Sequence, residues 1–215
     1  MASHYSVKEV FYTLQGEGQQ AGRASVFCRF TGCNLWSGRE QDRKAAACRF
    51  CDTDFVGTDG QNGGKFKTAQ ALAKHIAQFW PVAHQGKPYV VMTGGEPALQ
   101  LDKELIEALH RLNFEIAIET NGTIALPEGI DWVCVSPKGK ADLVITQGDE
   151  LKLVYPQIEP EAHPERFSSM AFTHHYIQPL DDQNQGQNSQ KAVQFCLANP
   201  QWKLSIQTHK ILDID

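Results

Sequence analysis

No run of apolar residues in this 215-residue chain approaches the length needed to cross a bilayer. The first residues, Met1-Ala2-Ser3-His4-Tyr5-Ser6, lack the basic and apolar segments of a secretory leader, so the expected location is the cytoplasm, away from any membrane. Positive charge is not in excess. Twenty Lys and Arg against 25 Asp and Glu leave a formal charge of −5, which argues against direct nucleic-acid binding. An anionic ligand would therefore have to be met by positive charge placed locally. There is no GxGxxG and no GK[ST], which removes the dinucleotide and P-loop readings. Neither an internal repeat nor a Pro/Ser-rich linker divides the chain, and its length suits a single domain, 1–215, with a full core. Cysteine is scarce, six residues unevenly spread, which fits reduced thiols better than a disulfide framework.

Three of those cysteines do stand together. Fourteen residues separate Cys33 from Cys48, and two separate Cys48 from Cys51. Three thiolates without an obvious fourth suit a metal centre that keeps one coordination position open, whereas structural zinc sites close with four ligands. Iron–sulfur clusters are also held by cysteine, normally four per cluster. A CxxC can equally be a redox pair, or half of a zinc ribbon completed by Cys28 or a histidine. On the cysteines alone, all of these stay open. The stretch around them, 37–64, is polar and rich in Gly, Asp and Gln. It is long for a connection in a compact domain, so it reads as a functional insertion ordered in part by a metal.

Short runs rich in Val, Ile and Phe predict strands at Val7–Tyr12, Ser25–Phe30, Tyr89–Thr93, Phe114–Glu119, Asp131–Ser136, Glu150–Tyr155, Phe172–Gln178 and Lys203–Gln207. Helical periodicity predicts Thr68–Trp80, with Thr68 as N-cap, then Asp102–Leu112, then Ser189–Ala198 with Val193, Cys196 and Leu197 as its apolar residues. Strands alternating with helices indicate a mainly parallel sheet with right-handed crossovers. A complete (β/α)₈ barrel takes about 250 residues and eight helices. With three helices, and little helix between Glu119 and Tyr155, a shortened, incomplete α/β barrel fits better. Such folds bind ligands at the carboxyl ends of their strands. The distinctive segments lie there: Thr93-Gly94-Gly95-Glu96-Pro97, Glu119-Thr120-Asn121-Gly122, Ser136-Pro137-Lys138 and Gln178-Pro179-Leu180-Asp181. Taken alone, Gly94-Gly95 is a glycine-rich turn. With Glu96 it can also bring backbone and a carboxylate against an amine.

In combination, the three-cysteine pattern, the strand ending in GGEP and the ETNG segment resemble the radical S-adenosylmethionine (SAM) enzymes. The usual spacing there has three residues between the first two cysteines. The fourteen found here are a departure that resembles one family, the 7-carboxy-7-deazaguanine synthases of queuosine and deazapurine biosynthesis. Leu14-Gln15-Gly16-Glu17-Gly18, Cys28-Arg29-Phe30, Cys51-Asp52-Thr53, Ser136-Pro137-Lys138, Gln178-Pro179 and Gln207-Thr208-His209-Lys210 match it as well, so the resemblance runs from Phe11 to Lys210.

The resemblance implies a radical SAM barrel of mostly parallel strands and few helices, with a [4Fe-4S] cluster on Cys33, Cys48 and Cys51. The amino and carboxylate groups of SAM chelate the fourth iron. It implies a lyase that converts 6-carboxy-5,6,7,8-tetrahydropterin to 7-carboxy-7-deazaguanine by radical ring contraction with loss of ammonia, SAM being regenerated. The cofactor does the difficult chemistry and the protein supplies position and electrostatics. SAM would lie against Phe50, Cys51, Asp52, Gly95, Glu96, Glu119, Ser136, Pro137, Lys138, Gln178, Pro179, Leu180 and Asp181. The pterin would lie against Leu14, Gln15, Gly16, Glu17, Arg29, Thr93, His209 and the carboxylate of Asp215. Thr53 would give Mg2+ its one protein oxygen. An electron donor such as flavodoxin and a second copy of the chain are the implied partners.

Other residues read as structural. Cys28 faces away from Arg29 on the same strand and belongs in the core, as do Cys134 and Cys196. His174 and His175 point to opposite faces and cannot share one metal. Asp182 and the run 183–190 read as a solvated loop. Ile211, Leu212 and Ile214 are apolar enough to anchor the tail and bring Asp215 to the site, against the usual fraying of chain ends. Two competing readings give no role to much of this pattern. An activase of glycyl-radical proteins has the short cysteine spacing, and a zinc module leaves GGEP, ETNG and SPK unused.

Overall fold

Alternation of apolar and polar residues in short β-rich runs sets the architecture. In the computed structural model, which describes residues 5–81 and 86–214, nine strands form one sheet in the order β3-β1-β2-β4-β5-β6-β7-β8-β9. At one edge β1 (Tyr5–Leu14) pairs antiparallel with β2 (Ala24–Phe30) and with β3 (Gly64–Phe66). From β2 onward all pairings are parallel, through β4 (Tyr89–Gly94), β5 (Glu115–Thr120), β6 (Trp132–Val135), β7 (Gln147–Tyr155), β8 (Ala171–Pro179) and β9 (Lys203–Leu204).

The helices are few: α1 (Ala69–Ala77), α2 (Lys103–Arg111), α3 (Gln185–Ala198) and the short α4 (Thr208–Leu212). The oxygen of Thr68 accepts from the Ala71 amide at 3.2 Å and starts α1, while Asp102 accepts from the Leu105 amide at 2.9 Å and starts α2. None of the described helices is long and apolar enough to cross a membrane. The three-residue β3 and the helix α4 have too little periodicity to read from sequence. Helix α3 begins at Gln185, four residues before the expected start, and buries Asn188 and Ala192, leaving Val193 (41%) and Leu197 (80%) exposed. The Asn188 side chain donates to the carbonyl of Leu180 and to Asp182, fastening the first turn of α3 to the end of β8. Residues 185–190 are therefore helix, not loop.

The outer face of the sheet holds the main core. Val10, Cys28, Met92, Ile116 and Ile118 are fully buried under α1 and α2. A second cluster under α3 contains Val135, Leu151, Leu153, Ile177 and Trp202. On the inner face a small apolar layer, Phe27, Tyr89, Val91, Ala117 and Trp132, lines the amino-terminal ends of the strands. Above it the same strands turn polar. The segment after β1 crosses this concave face to the opposite edge, where the Gly18 amide donates to Ser205 and the Gln19 amide to Glu150. The sheet is thus curved around its inner face, an incomplete barrel with a floor.

The long stretch 37–64 is ordered largely by the polypeptide itself. Trp36 and Phe55 are buried edge to face, 5.6 Å apart, and a 3₁₀ turn runs over Glu40–Ala45. Further on, the Lys8 ammonium gathers Asp54, Asp59 and the carbonyl of Val56, each at 2.9 Å. The Val10 amide donates to Gln61 and the Asn62 side chain to Val10, so the stretch ends against a bulge in β1.

Candidate active site

At the carboxyl ends of the parallel strands lies a cavity of about 470 Å³. Its wall brings together most of the residues expected from the sequence: Leu14 to Glu17, Arg29, Phe50 to Thr53, Thr93, Gly95, Glu119, Ser136, Lys138, Gln178 to Asp181 and His209. Asp215 lies outside the described residues. Ile211 (70%), Leu212 (59%) and Ile214 (39%) are all exposed, so they do not anchor the tail as expected. What holds the tail is polar: the Thr208 amide and hydroxyl both donate to the Gly16 carbonyl at 2.9 Å. His209 then packs so tightly on Gly16 that a Cβ there would sit 2.1 Å from Nδ1, which only glycine avoids.

The three cysteines share one corner. Cys48 and Cys51 are hydrogen-bonded to each other, which pulls the Cys51 thiol below its ordinary value and pushes the Cys48 thiol up. Burial pushes the Cys33 thiol up, while the Leu35 amide donates to its sulfur at 3.4 Å. The GGEP turn abuts this loop: a Cβ on Gly95 would lie 2.2 Å from the Gly32 carbonyl oxygen and 2.8 Å from Cys33 Cβ. The Asn121 side chain ties the end of β5 to Asn34 at 3.0 Å. Among the described residues no three His, Cys, Asp or Glu side chains converge closely enough for one metal ion. A cluster of several irons would not need the three thiols to converge on one ion. Cys28, by contrast, is fully buried in the outer core, and burial pushes its thiol up.

Three expected site residues, Cys33, Glu96 and Pro137, do not line the cavity. Glu96 is fully buried, and its carboxylate accepts from the Ala98 amide (2.9 Å), the Thr120 hydroxyl (2.7 Å) and the Asn121 amide (2.8 Å). It joins the end of β4 to the end of β5 and does not line the cavity, so the role expected of its side chain, accepting from the SAM amine, is corrected to bracing the turn. Pro137 is buried beside the cavity without lining it. Arg29 does line it, with its Nε donating to Glu9 at 2.7 Å. His174 and His175 stay apart as expected, one stacked on Trp132 and the other against Trp202.

The inner wall also holds Glu9, Phe11, Phe27 and Lys152, which no motif contains, and Asn121 and Lys210, which lie inside the ETNG and QTHK motifs without having been given a role. The signal was the alternation in Glu150-Leu151-Lys152-Leu153, where charge recurs at every second position of a strand buried on both faces. Lys152 lies between Glu17 (2.8 Å) and Glu119 (2.9 Å). Burial pushes the Glu17 carboxyl up, but the Lys152 ammonium, helped by the Gln207 hydrogen bond and His209, holds the group at about 2. Lys210, on the rim, bridges Asp52 and Asp181.

The half-closed parallel barrel with three cysteines at its carboxyl ends fits the radical SAM fold that the sequence resembles. The radical SAM superfamily model matches residues 45–139, beginning after Cys33. A 7-carboxy-7-deazaguanine synthase of Bordetella pertussis is 60% identical, covering 98% of this chain and 99% of its own. The enzyme of the same name from Bacteroides thetaiotaomicron is 36% identical over 97% of each chain. In fold, the chain matches the crystal structure of QueE from Escherichia coli with a TM-score of 0.70, 24% identity and coverage of 95% and 94%. The chain belongs to the 7-carboxy-7-deazaguanine synthase family.

Proposed function

We propose that this single-domain enzyme carries out the ring contraction of 6-carboxy-5,6,7,8-tetrahydropterin to 7-carboxy-7-deazaguanine, with release of ammonia. The observation that carries the reading is the convergence, on one cavity, of Cys48 and Cys51, the GGEP turn and the LQGEG–QTHK contact, which lie far apart in sequence. Cys33, Cys48 and Cys51 would hold the [4Fe-4S] cluster, and the Gly95 backbone, Glu119, Ser136, Lys138 and the 178–181 segment would hold SAM. When bound, the pair supplies a 5′-deoxyadenosyl radical. The chain's own residues do the rest. Arg29, oriented through its Nε by Glu9, presents its remaining donors to the substrate carboxylate in the two-point geometry that arginine favours. Glu17, kept ionised beside Lys152, accepts from the pterin amine and ring N–H groups. Thr53, beside the cysteine corner, would offer its oxygen to Mg2+, which takes its other ligands from substrate and water. The Asp215 carboxylate is assigned to the pterin as well.

Arg39, Lys44 and Arg49 are exposed on the cysteine loop of an otherwise acidic chain. They suit an acidic one-electron donor such as flavodoxin. The exposed apolar pair Val193 and Leu197 on α3 supports a homodimer. The reading is tested by reconstituting the protein anaerobically and supplying SAM, dithionite, Mg2+ and the carboxytetrahydropterin. Product of the mass of 7-carboxy-7-deazaguanine, together with iron and sulfide in the protein, is expected. A colourless protein with stoichiometric zinc and no product overturns it.

A further inference from the structure

We propose that Lys152 is a positioning residue whose ammonium ties Glu17, on the pterin side of the cavity, to Glu119, on the SAM side, and so sets the spacing of the two subsites. The inference rests on the assignment of those two carboxylates to the two ligands. Lys152 stands in the middle of β7 with its side chain only 4% exposed, and its Nζ is 2.8 Å from Glu17 Oε2 and 2.9 Å from Glu119 Oε2.

Each carboxylate uses its other oxygen on an amide. Glu17 Oε1 accepts from Gln178 Nε2 and from Gln207 Nε2, both at 2.9 Å, and Glu119 Oε1 accepts from Gln15 Nε2 at 3.3 Å. One ammonium thereby joins the segment after β1, the end of β5, the end of β8 and the carboxyl-terminal segment. A buried cation is costly unless paired and hydrogen-bonded, and this one is paired on two sides. Glu150 and Cys134 complete the surroundings. Burial pushes the Glu150 carboxyl and the Cys134 thiol up, towards their neutral forms. An ammonium has three donors, and two are taken by Glu17 and Glu119. In this proposal Lys152 acts on the ligands through these carboxylates, whereas a direct contact from the third donor would give equal effects in the two backgrounds of the test.

The test is a double-mutant cycle. Lys152→Met is compared in the parent and in a Glu17→Gln/Glu119→Gln background, where the two carboxylates that Lys152 pairs with are already neutral amides. Two quantities are read: the Kd of the carboxytetrahydropterin on cluster-loaded, SAM-bound protein without reductant, and the 5′-deoxyadenosine accumulated per product once reductant is added. In the parent, Lys152→Met should weaken pterin binding tenfold or more and raise 5′-deoxyadenosine per product by a similar factor. In the Gln/Gln background the same substitution should change pterin Kd less than threefold. Equal effects in both backgrounds, or a lowered Tm with unchanged Kd and unchanged coupling, overturn the proposal while leaving the reaction standing. A parent protein that binds no carboxytetrahydropterin overturns the reaction reading itself, and this proposal with it.

Discussion

The two faces of the same strands make opposite use of the same backbone. On β2, Cys28 points outward into the core and Arg29 inward to the cavity; on β4, Met92 points outward and Thr93 inward. The outer set is apolar and wholly buried beneath α1 and α2. The inner set is charged towards the carboxyl ends and must satisfy its charges with one another, as Arg29 does with Glu9 and Lys152 with Glu17 and Glu119. A one-residue step moves a side chain from stability to function.

The largest effects should come from testing that division at the cysteines. Ala at Cys33, Cys48 or Cys51 should abolish iron incorporation after anaerobic reconstitution, and activity with it. Cys28→Ala should retain full iron and give a modestly lower Tm. A lost cluster in a folded Cys28→Ala protein would break the distinction. Next, Met92→Ala should cost about 2–5 kcal/mol of stability, the range for truncating a large buried side chain, with the activity of the folded fraction kept. Its neighbour Thr93→Ala should instead weaken pterin affinity about two- to tenfold, the worth of one ordinary hydrogen bond, with Tm nearly unchanged. Equal stability losses at the two positions would show that Thr93 is core.

The outer face was the legible one. Short runs rich in Val, Ile and Phe place all the strands but β3, and the caps Thr68 and Asp102 mark two helix starts. They fail at α3, because the residue that anchors its first turn is Asn188, a polar side chain that no apolar stripe reveals. The site divides in the same way. Residues at strand ends fall within motifs and are found there. Lys152 sits mid-strand and belongs to no motif, and its function depends on partners 135 and 33 residues away, visible only when the strands are assembled. Glu96 shows the reverse. Its motif is informative, yet its side chain is spent on bracing the turn that presents the Gly95 backbone.

Acid should expose the cost of the inner face. The Glu17 carboxyl stands at about 2, against an ordinary 4.5. A folded-state pKa below the unfolded one contributes stability above about 4.5, and that contribution is lost as pH falls from 4.5 towards 2. Burial shifts Glu96 and Glu150 the other way, so they do not add to this acid loss. Glu17→Gln should therefore lower Tm at pH 6, with the gap to the parent narrowing as the pH is taken from about 5 to about 3. Parallel curves would mean that Glu17 draws little from Lys152.

The smallest effect is expected where the motif of Lys152 is repeated in water. Lys210 also stands between two carboxylates of the same cavity, Asp52 and Asp181, but its side chain is 39% exposed, and theirs are 53% and 39%. Solvent screens such pairs, and exposed ion pairs are typically worth about 0–1 kcal/mol. Lys210→Ala should then move Tm by no more than a degree or two. Because Asp52 and Asp181 both border the proposed SAM site, SAM affinity should fall by at most about fivefold, the equivalent of 1 kcal/mol. That loss should shrink further in high salt, which screens exposed charges. Lys152→Met, with its own side chain 4% exposed and its two carboxylates about half as exposed as those of Lys210 or less, should show a weaker salt dependence. If Lys210→Ala instead matched Lys152→Met in size, or lost the same affinity at low and high salt, burial would not be what separates the two lysines. The rim bridge would then have to be counted among the groups that hold the cofactor.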